Sequence, residues 1–178
     1  MAGGDLTRSP LAIFLFEAEE AIVNEITRRL RESELEHYRQ METIDLRPRV
    51  QDLYVAYRES VLSGDESIFS VYVGDIGRTR LHQGYGLEEL LFVLDAVFDV
   101  VWEAARAAFG KDVDALPDFK RLALGVSSGK GRLATVYAEE SKKERAALRR
   151  LSAAFDEYLR LRRASSEEGP AEDQGETP

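Results

Sequence analysis

Three carboxylates, Asp95, Asp99 and Glu103, recur at four-residue spacing in the most apolar stretch of the chain. In a helix this spacing places all three side chains on one face. Carboxyl groups that are close together and shielded from water raise each other's pKa, as in acid/base pairs. We favour the simpler interpretation, a polar edge that faces solvent, because a helix that is otherwise buried needs one such edge. A cavity behind the stripe would instead make it a ligand contact. Candidate cation partners are Arg58, Arg78 and Arg80.

The chain contains two histidines, and His82 is the stronger candidate for a ligand. Neutral imidazole is an axial ligand of haem, and His82 stands just before the Gly84-Tyr85-Gly86 corner. Together with Tyr85 and Trp102 it would line a pocket for a haem or small ligand. The alternative that we favour is a polar histidine at a helix end. A phosphoacceptor role is disfavoured, because the glycine corner interrupts the helix that such a histidine needs.

The second histidine belongs to a Glu-x-x-His pair, Glu34 and His37. Di-iron bundles use this half-motif twice. The second copy is missing, because Thr79 and not a carboxylate stands three residues before His82. We therefore predict no metal site.

Neither glycine-rich segment fits a nucleotide site. The segment 125–131 resembles a phosphate-binding loop only superficially, because Gly131 follows Lys130 where a serine or threonine is required. No strand precedes it, and none precedes Gly84-x-Gly86. No serine has a recognisable histidine–carboxylate partner in the sequence. We predict no catalytic residues and a protein that is not an enzyme.

Composition limits the cellular setting. The chain of 178 residues suffices for one domain with a sizeable core. A net charge of −9 and a pI near 4.9 disfavour binding to nucleic acid or acidic membranes. The chain has no cysteine, and its N-terminus lacks the basic and apolar regions of a signal peptide. Asp95 and Asp99 interrupt the main apolar stretch, which argues against a membrane span. We predict a cytoplasmic protein.

The central element is a predicted helix from Leu87 to Phe109. Its surface is apolar nearly all round, and the interruptions form one narrow stripe: Glu88, Asp95, Asp99, Glu103 and Arg106. A helix with a single polar strip must be surrounded by other helices. The sequence therefore predicts an all-α fold, globin-like or a bundle of about six helices, with this helix at its centre.

Three helices precede the central one. The first is predicted from Pro10 to Leu35, with Ser9 as its cap. A second helix is predicted to start at the cap Asp45 and to stop at Ser63-Gly64-Asp65. The third then extends to the glycine corner with Ile68 and Ile76 among its inward residues.

After the central helix we predict a short helix over 118–124, a flexible joint or kink over 125–131, and a long final helix to about Arg163. The final helix carries a predicted dimer seam: Tyr137, Leu148, Leu151, Phe155 and Tyr158. The last four recur at three-four-three spacing, which is typical of helix pairing. Lys142, Arg145 and Arg149 form a solvated basic flank beside it. We predict a flexible leader at 1–9, one helical domain at 10–163 and a disordered acidic tail at 164–178.

Residues 74–109 carry a family resemblance. Arg78 and Arg80 at a helix end, then Gln83-Gly84, then the Leu-Glu-Glu-Leu-Leu run at 87–91, then Trp102, together resemble the RsbRD-type N-terminal domain. The segment "LYVAYRESVLSGD" at 53–65 resembles the helix and break that precede this motif in the family. The resemblance covers about residues 10–110.

The resemblance implies an all-helical sensory domain of the kind found in stressosome co-antagonists. Such domains have globin-like or bundle packing, usually lack haem and dimerise through their last helices. We therefore expect a non-catalytic signal-input protein that forms a homodimer and contacts a STAS-type protein or a kinase. The competing expectation is a haem or small-ligand sensor, because a haem-ligating histidine of a globin-like fold falls in the region of His82.

Overall fold

A computed structural model of the chain describes residues 9–115 and 119–167. Within these ranges the chain forms α-helices, one 3-10 helix and no strand. The helices are α1 (Pro10–Glu17), α2 (Glu19–Glu32), α3 (Glu36–Gln40), α4 (Thr43–Ser63), α5 (Glu66–His82), α6 (Leu87–Phe109), the 3-10 helix (Gly110–Ala115) and α7 (Phe119–Glu167). The predicted all-α class with a long C-terminal helix is confirmed. None of these described helices is long and apolar enough to cross a membrane.

The predicted first helix is two helices. A single residue, Ala18, separates α1 from α2, and its N–H still bonds to the carbonyl of Phe14 at 2.9 Å. Apolar periodicity continues across so short an interruption, so the sequence pattern does not reveal it. Helix α2 also ends three residues before the predicted Leu35, because the Ser33 hydroxyl donates to the Leu30 carbonyl at 2.6 Å.

The predicted break between α4 and α5 is confirmed in detail. Gly64 has a φ of +70°, which a residue without Cβ adopts easily, and it ends α4. Asp65 caps α5 by accepting a hydrogen bond from the Ser67 N–H at 2.9 Å. At its other end α4 begins at Thr43, two residues before the predicted Asp45 cap.

Helix α6 lies in the hydrophobic core, as its composition predicts. Its buried residues are Glu89, Leu90, Val93, Leu94, Ala96, Val97, Val100, Val101 and Ala105. It packs against α2 and the 3-10 helix. On α5 the predicted inward positions Ile68 and Ile76 are instead 38% and 40% exposed. Neighbouring helices cover only part of the apolar surface of α5. A prediction that every apolar residue points inward is therefore wrong for these two residues.

The glycine-rich segment 125–131 is neither a joint nor a separate connection. It lies inside α7, which also contains the predicted short helix over 118–124 from Phe119 onward. A Cβ added to Gly125 would lie 3.1 Å from the Tyr57 ring, and one added to Gly129 would lie 2.8 Å from the Phe69 ring. These glycines therefore let aromatic rings of α4 and α5 pack directly on the backbone of α7.

The chain divides into two units, residues 1–138 and 139–178. The hydrophobic core described above lies in the first unit. In the second, α7 continues to Glu167, four residues beyond the predicted end at Arg163. The predicted leader lies outside the described residues up to residue 8, and the predicted acidic tail lies outside them from residue 168.

Two glycines of α7 provide a matched test of this packing. We expect Gly131→Ala to stabilise the fold by about 1 kcal/mol, because no atom lies within 4 Å of its added Cβ and alanine favours a helix. Gly129→Ala raises the helix propensity equally, but its Cβ would collide with the Phe69 ring. Such overpacking costs about 1–3 kcal/mol. Urea denaturation of both variants measures the difference. Equal stabilisation by the two substitutions would contradict the close contact.

Candidate functional site

An exposed apolar stripe on α7 is the candidate functional surface. Its members are large apolar side chains that stand in solvent: Leu148, Leu151, Phe155 and Tyr158 are 59%, 68%, 58% and 55% exposed. Their three-four-three spacing places them on one face of the helix, as in a coiled-coil seam. Tyr137 precedes Leu151 by two heptads, so it has the same heptad position, and it is 43% exposed. We call the set of four at 148–158 the apolar stripe.

The positions beside the apolar stripe suit close approach of another helix. The residues that flank the seam are small: Ala147, Ser152 and Ala154. Charged side chains lie farther round the helix, and some pair within it, as Lys143 does with Glu140 at 2.8 Å and Arg160 with Glu157 at 3.1 Å. Small flanks let backbones approach, while the charges keep the remaining surface hydrated. The arrangement can bind a helix, and it offers no group for acid/base or nucleophilic chemistry.

The carboxylate stripe on α6 faces solvent and has partners other than those that the sequence suggested. Lys130 of α7 forms an ion pair with Asp95, and Arg29 of α2 forms one with Glu103, with one N–O distance of 3.3 Å. The side chains of Asp95 and Glu103 are 51% and 60% exposed. Asp99 is exposed as well. These carboxylates therefore tie α6 to its neighbours at the surface and do not form a buried acid/base pair.

The predicted cation partners make other contacts. Arg58 is buried, forms an ion pair with Glu19 of α2 and lies 4.1 Å from the centre of the Phe16 ring. Arg78 lies 3.7 Å from Asp75 within α5. The described ion pairs of Asp95 and Glu103 come instead from Lys130 and Arg29 on other helices, and the helical spacing of a single sequence does not show such pairs.

The residues suggested for a haem or ligand pocket do not come together. Tyr85 lies at the start of α6, whereas Trp102 lies 15 residues along the helix from Leu87, about 22 Å at 1.5 Å per residue. Trp102 packs on Phe119 with ring centres 4.4 Å apart, and His82 is exposed at the end of α5. One compact ligand cannot touch all three residues.

A cluster that the sequence did not predict joins α3 to the start of α6. His37 Nδ1 lies 2.9 Å from Glu89 Oε2, and the same oxygen accepts a hydrogen bond from the Gly86 N–H at 2.9 Å. The His37 ring stacks on Tyr85 with centres 4.2 Å apart. Glu34, the other member of the Glu-x-x-His pair, is exposed and has no part in this cluster.

One half of this cluster has a sequence signal. A glutamate three residues after the helix cap is half of a capping box, and Glu89 stands three residues after Gly86. The contact with His37 spans 52 residues, so no local pattern indicates it. Among the described residues no group of three or more potential metal ligands occurs. The cluster therefore acts as a buried helix cap.

Two opposing effects set the pKa of Glu89. Burial alone would raise it, but hydrogen bonds from the Gly86 backbone and from His37 outweigh burial and hold the pKa of Glu89 below its ordinary value of 4.5. A carboxyl group whose pKa is depressed by folding stabilises the fold fully above its unfolded pKa. That stabilisation is lost as the pH falls through the folded-state value.

We expect Glu89→Gln to destabilise the protein by about 1–2 kcal/mol at neutral pH, because the cap loses hydrogen bonds to a charged oxygen. The difference from wild type should shrink as the pH falls below 4.5. Thermal denaturation between pH 7 and pH 3 measures this, with Glu88→Gln as the control because Glu88 is exposed. A destabilisation that grows on acidification would contradict the role assigned to Glu89.

Comparisons with protein-family models, with curated proteins and with solved structures found no match to this chain. The resemblance carried by residues 74–109 therefore remains a prediction. The function has to be argued from the residues and surfaces described above.

Proposed function

We propose that this protein is a non-catalytic signal-input module that acts through contacts between helices. One observation carries the proposal: the apolar stripe leaves four large apolar side chains more than half exposed. Such a continuous exposed apolar seam is typical of a surface that binds another protein. The proposal places the chain with RsbRD-type sensory domains, as a homodimer whose output partner is a STAS-type protein or a kinase.

The size of the apolar stripe fits reversible association. Full burial of a large apolar side chain contributes about 1.5–3 kcal/mol. A homodimer buries the four stripe residues of each chain, which are 55–68% exposed, so the eight side chains supply roughly 7–14 kcal/mol. The loss of translational and rotational freedom on association costs about 4–15 kcal/mol. The two quantities are comparable, so the stripe alone supports a contact that forms and dissociates. That balance suits a signalling protein better than a permanent assembly.

The carboxylates that were candidates for acid/base chemistry have structural partners. Asp95 and Glu103 form ion pairs, Glu89 caps α6 together with His37, and Glu19 neutralises the buried Arg58. Each of these carboxylates therefore takes part in an ion pair or a helix cap. This supports a non-catalytic role. We propose no haem site, because His82, Tyr85 and Trp102 do not line one pocket.

Charge substitution in the apolar stripe tests the homodimer. We expect the wild-type protein to have twice the chain mass of 20.0 kDa in multi-angle light scattering. Leu151→Glu together with Phe155→Glu should give the monomer mass, because two charges per chain would be buried in the seam without partners.

A matched variant controls for added charge. Ala146 and Ala153 are exposed and lie on the face of the helix opposite the seam, so Ala146→Glu with Ala153→Glu adds the same charge there. This control should keep the wild-type mass. A dimer that survives the seam substitutions, or a wild-type monomer, would refute self-association through the apolar stripe.

The partner is tested separately with a purified STAS-type protein or kinase encoded by a neighbouring gene. Calorimetric titration should detect binding to the wild-type protein and to the control variant. Binding that is equal for the seam variant would place the partner contact elsewhere on the molecule. Absence of binding to either class would contradict the proposed output.

A further inference from the structure

A small cavity in the first unit lies between α2, α3, α4, α5 and α6. It is half open to solvent and has a volume of about 110 Å³, and its apolar walls come from Leu30, Leu46, Val50, Leu53, Ile76 and Val93. A second cavity of about 50 Å³ shares Tyr38, Leu53, Ile76 and Val93 with the first and continues toward Leu90, Leu94 and Leu133. Together the two match the roughly 150 Å³ of an engineered apolar cavity that binds benzene. The space therefore suits about six carbon atoms.

Two tyrosine hydroxyls at this cavity lack hydrogen bonds from the described part of the protein. Tyr38 is only 7% exposed, and neither its hydroxyl nor that of the half-buried Tyr72 has a hydrogen-bond partner there. Neither hydroxyl oxygen is sealed from solvent, so each can bond to water or to a ligand that replaces the water. Burial raises the pKa of Tyr38 and of Tyr72, so both hydroxyls stay protonated at neutral pH and can donate.

Two arginines at the cavity have neutral partners. The Arg80 guanidinium donates to Gln83 Oε1 at 2.8 Å and lies 5.1 Å from the centre of the Tyr85 ring. That of Arg49 lies 3.7 Å from the Met41 sulfur. Neither forms an ion pair within the described residues, although the chain carries a net charge of −9. A guanidinium is the side chain best suited to bind a carboxylate.

Two acidic groups oppose these arginines: Asp52, and Glu89, whose charge acts on the Tyr38 hydroxyl although it is paired with His37. Asp52 is exposed and lines the same cavity, three residues after Arg49 on α4. It forms no ion pair with either arginine within the described residues. The charged groups that line the cavity therefore sum to a positive charge, with Asp52 reducing the attraction for an anion.

We propose that this cavity binds a small aliphatic carboxylate of about six carbons. Its chain would occupy the apolar interior, and its carboxylate would accept hydrogen bonds from Tyr38 and Tyr72 and lie near Arg49 and Arg80. The match is one of chemistry: apolar walls, suitable volume, and a lining that also includes two tyrosines and two arginines. The site goes beyond the proposed function, because it does not involve the apolar stripe and its test does not depend on dimerisation.

Titration of the full chain with hexanoate tests the site. We expect saturable binding at millimolar concentrations, with chemical-shift changes confined to residues of α2, α3, α4, α5, α6 and to Leu133. 1-Hexanol and hexylamine should bind at least tenfold more weakly, because they lack the carboxylate. Equal affinity for hexanol, or no saturation with hexanoate, would overturn the proposal.

Three variants sharpen the test. Arg49→Gln with Arg80→Gln should weaken hexanoate binding at least tenfold, whereas Arg47→Gln should leave it unchanged. Arg47 is the matched control because it lies on α4, bonds to the neutral Asn24 at 2.9 Å and does not line the cavity. Asp52→Asn should tighten binding severalfold, since it removes the opposing charge. If the double variant fails to fold, Asp52→Asn decides: unchanged or weaker binding would refute the charge arrangement.

Discussion

The close contact between glycines of α7 and aromatic rings of α4 and α5 is the constraint on which the first unit depends. Gly125 and Gly129 lie one helical turn apart, against Tyr57 and Phe69. The two rings contact each other edge to face with centres 5.4 Å apart, and the Tyr57 hydroxyl donates to the Leu122 carbonyl at 2.8 Å. A larger residue at either position would force the helices apart.

This contact also positions residues along the same helix. Lys130 follows Gly129 directly and forms the ion pair with Asp95 of α6. One turn later, Leu133 packs on Gly77 of α5, because a Cβ added to Gly77 would lie 2.6 Å from the Leu133 side chain. Leu133 also lines the smaller cavity. The packing of α7 on α5 thus determines both a surface ion pair and one wall of the proposed ligand site.

The two candidate surfaces differ in how they use apolar residues. The first unit contains a buried hydrophobic core and uses carboxylates to connect helices, whereas the apolar stripe at 148–158 leaves large side chains in solvent. A short exposed seam is costly for an isolated chain, so its natural explanation is a partner helix. The cavity differs in another way, because two guanidinium groups that line it form no ion pair within the described residues. Exposed apolar side chains and arginines without ion pairs are both unusual in a stable fold, and such features are expected where a protein binds another molecule.

The sequence by itself determined the helical class, the break at Gly64 and the apolar stripe. All of these depend on local periodicity or on a single residue with special backbone freedom, which one sequence displays directly. It misplaced the role of the segment 125–131, because glycine interrupts a helix in isolation and permits close packing inside a protein.

Only the tertiary structure decided which distant residues meet. His37 with Glu89, Arg29 with Glu103 and Lys130 with Asp95 are separated by 52, 74 and 35 residues. The cavity likewise combines five helices, and no spacing within one helix indicates it. Such contacts depend on the packing of whole helices, so a pattern within a single segment carries no information about them.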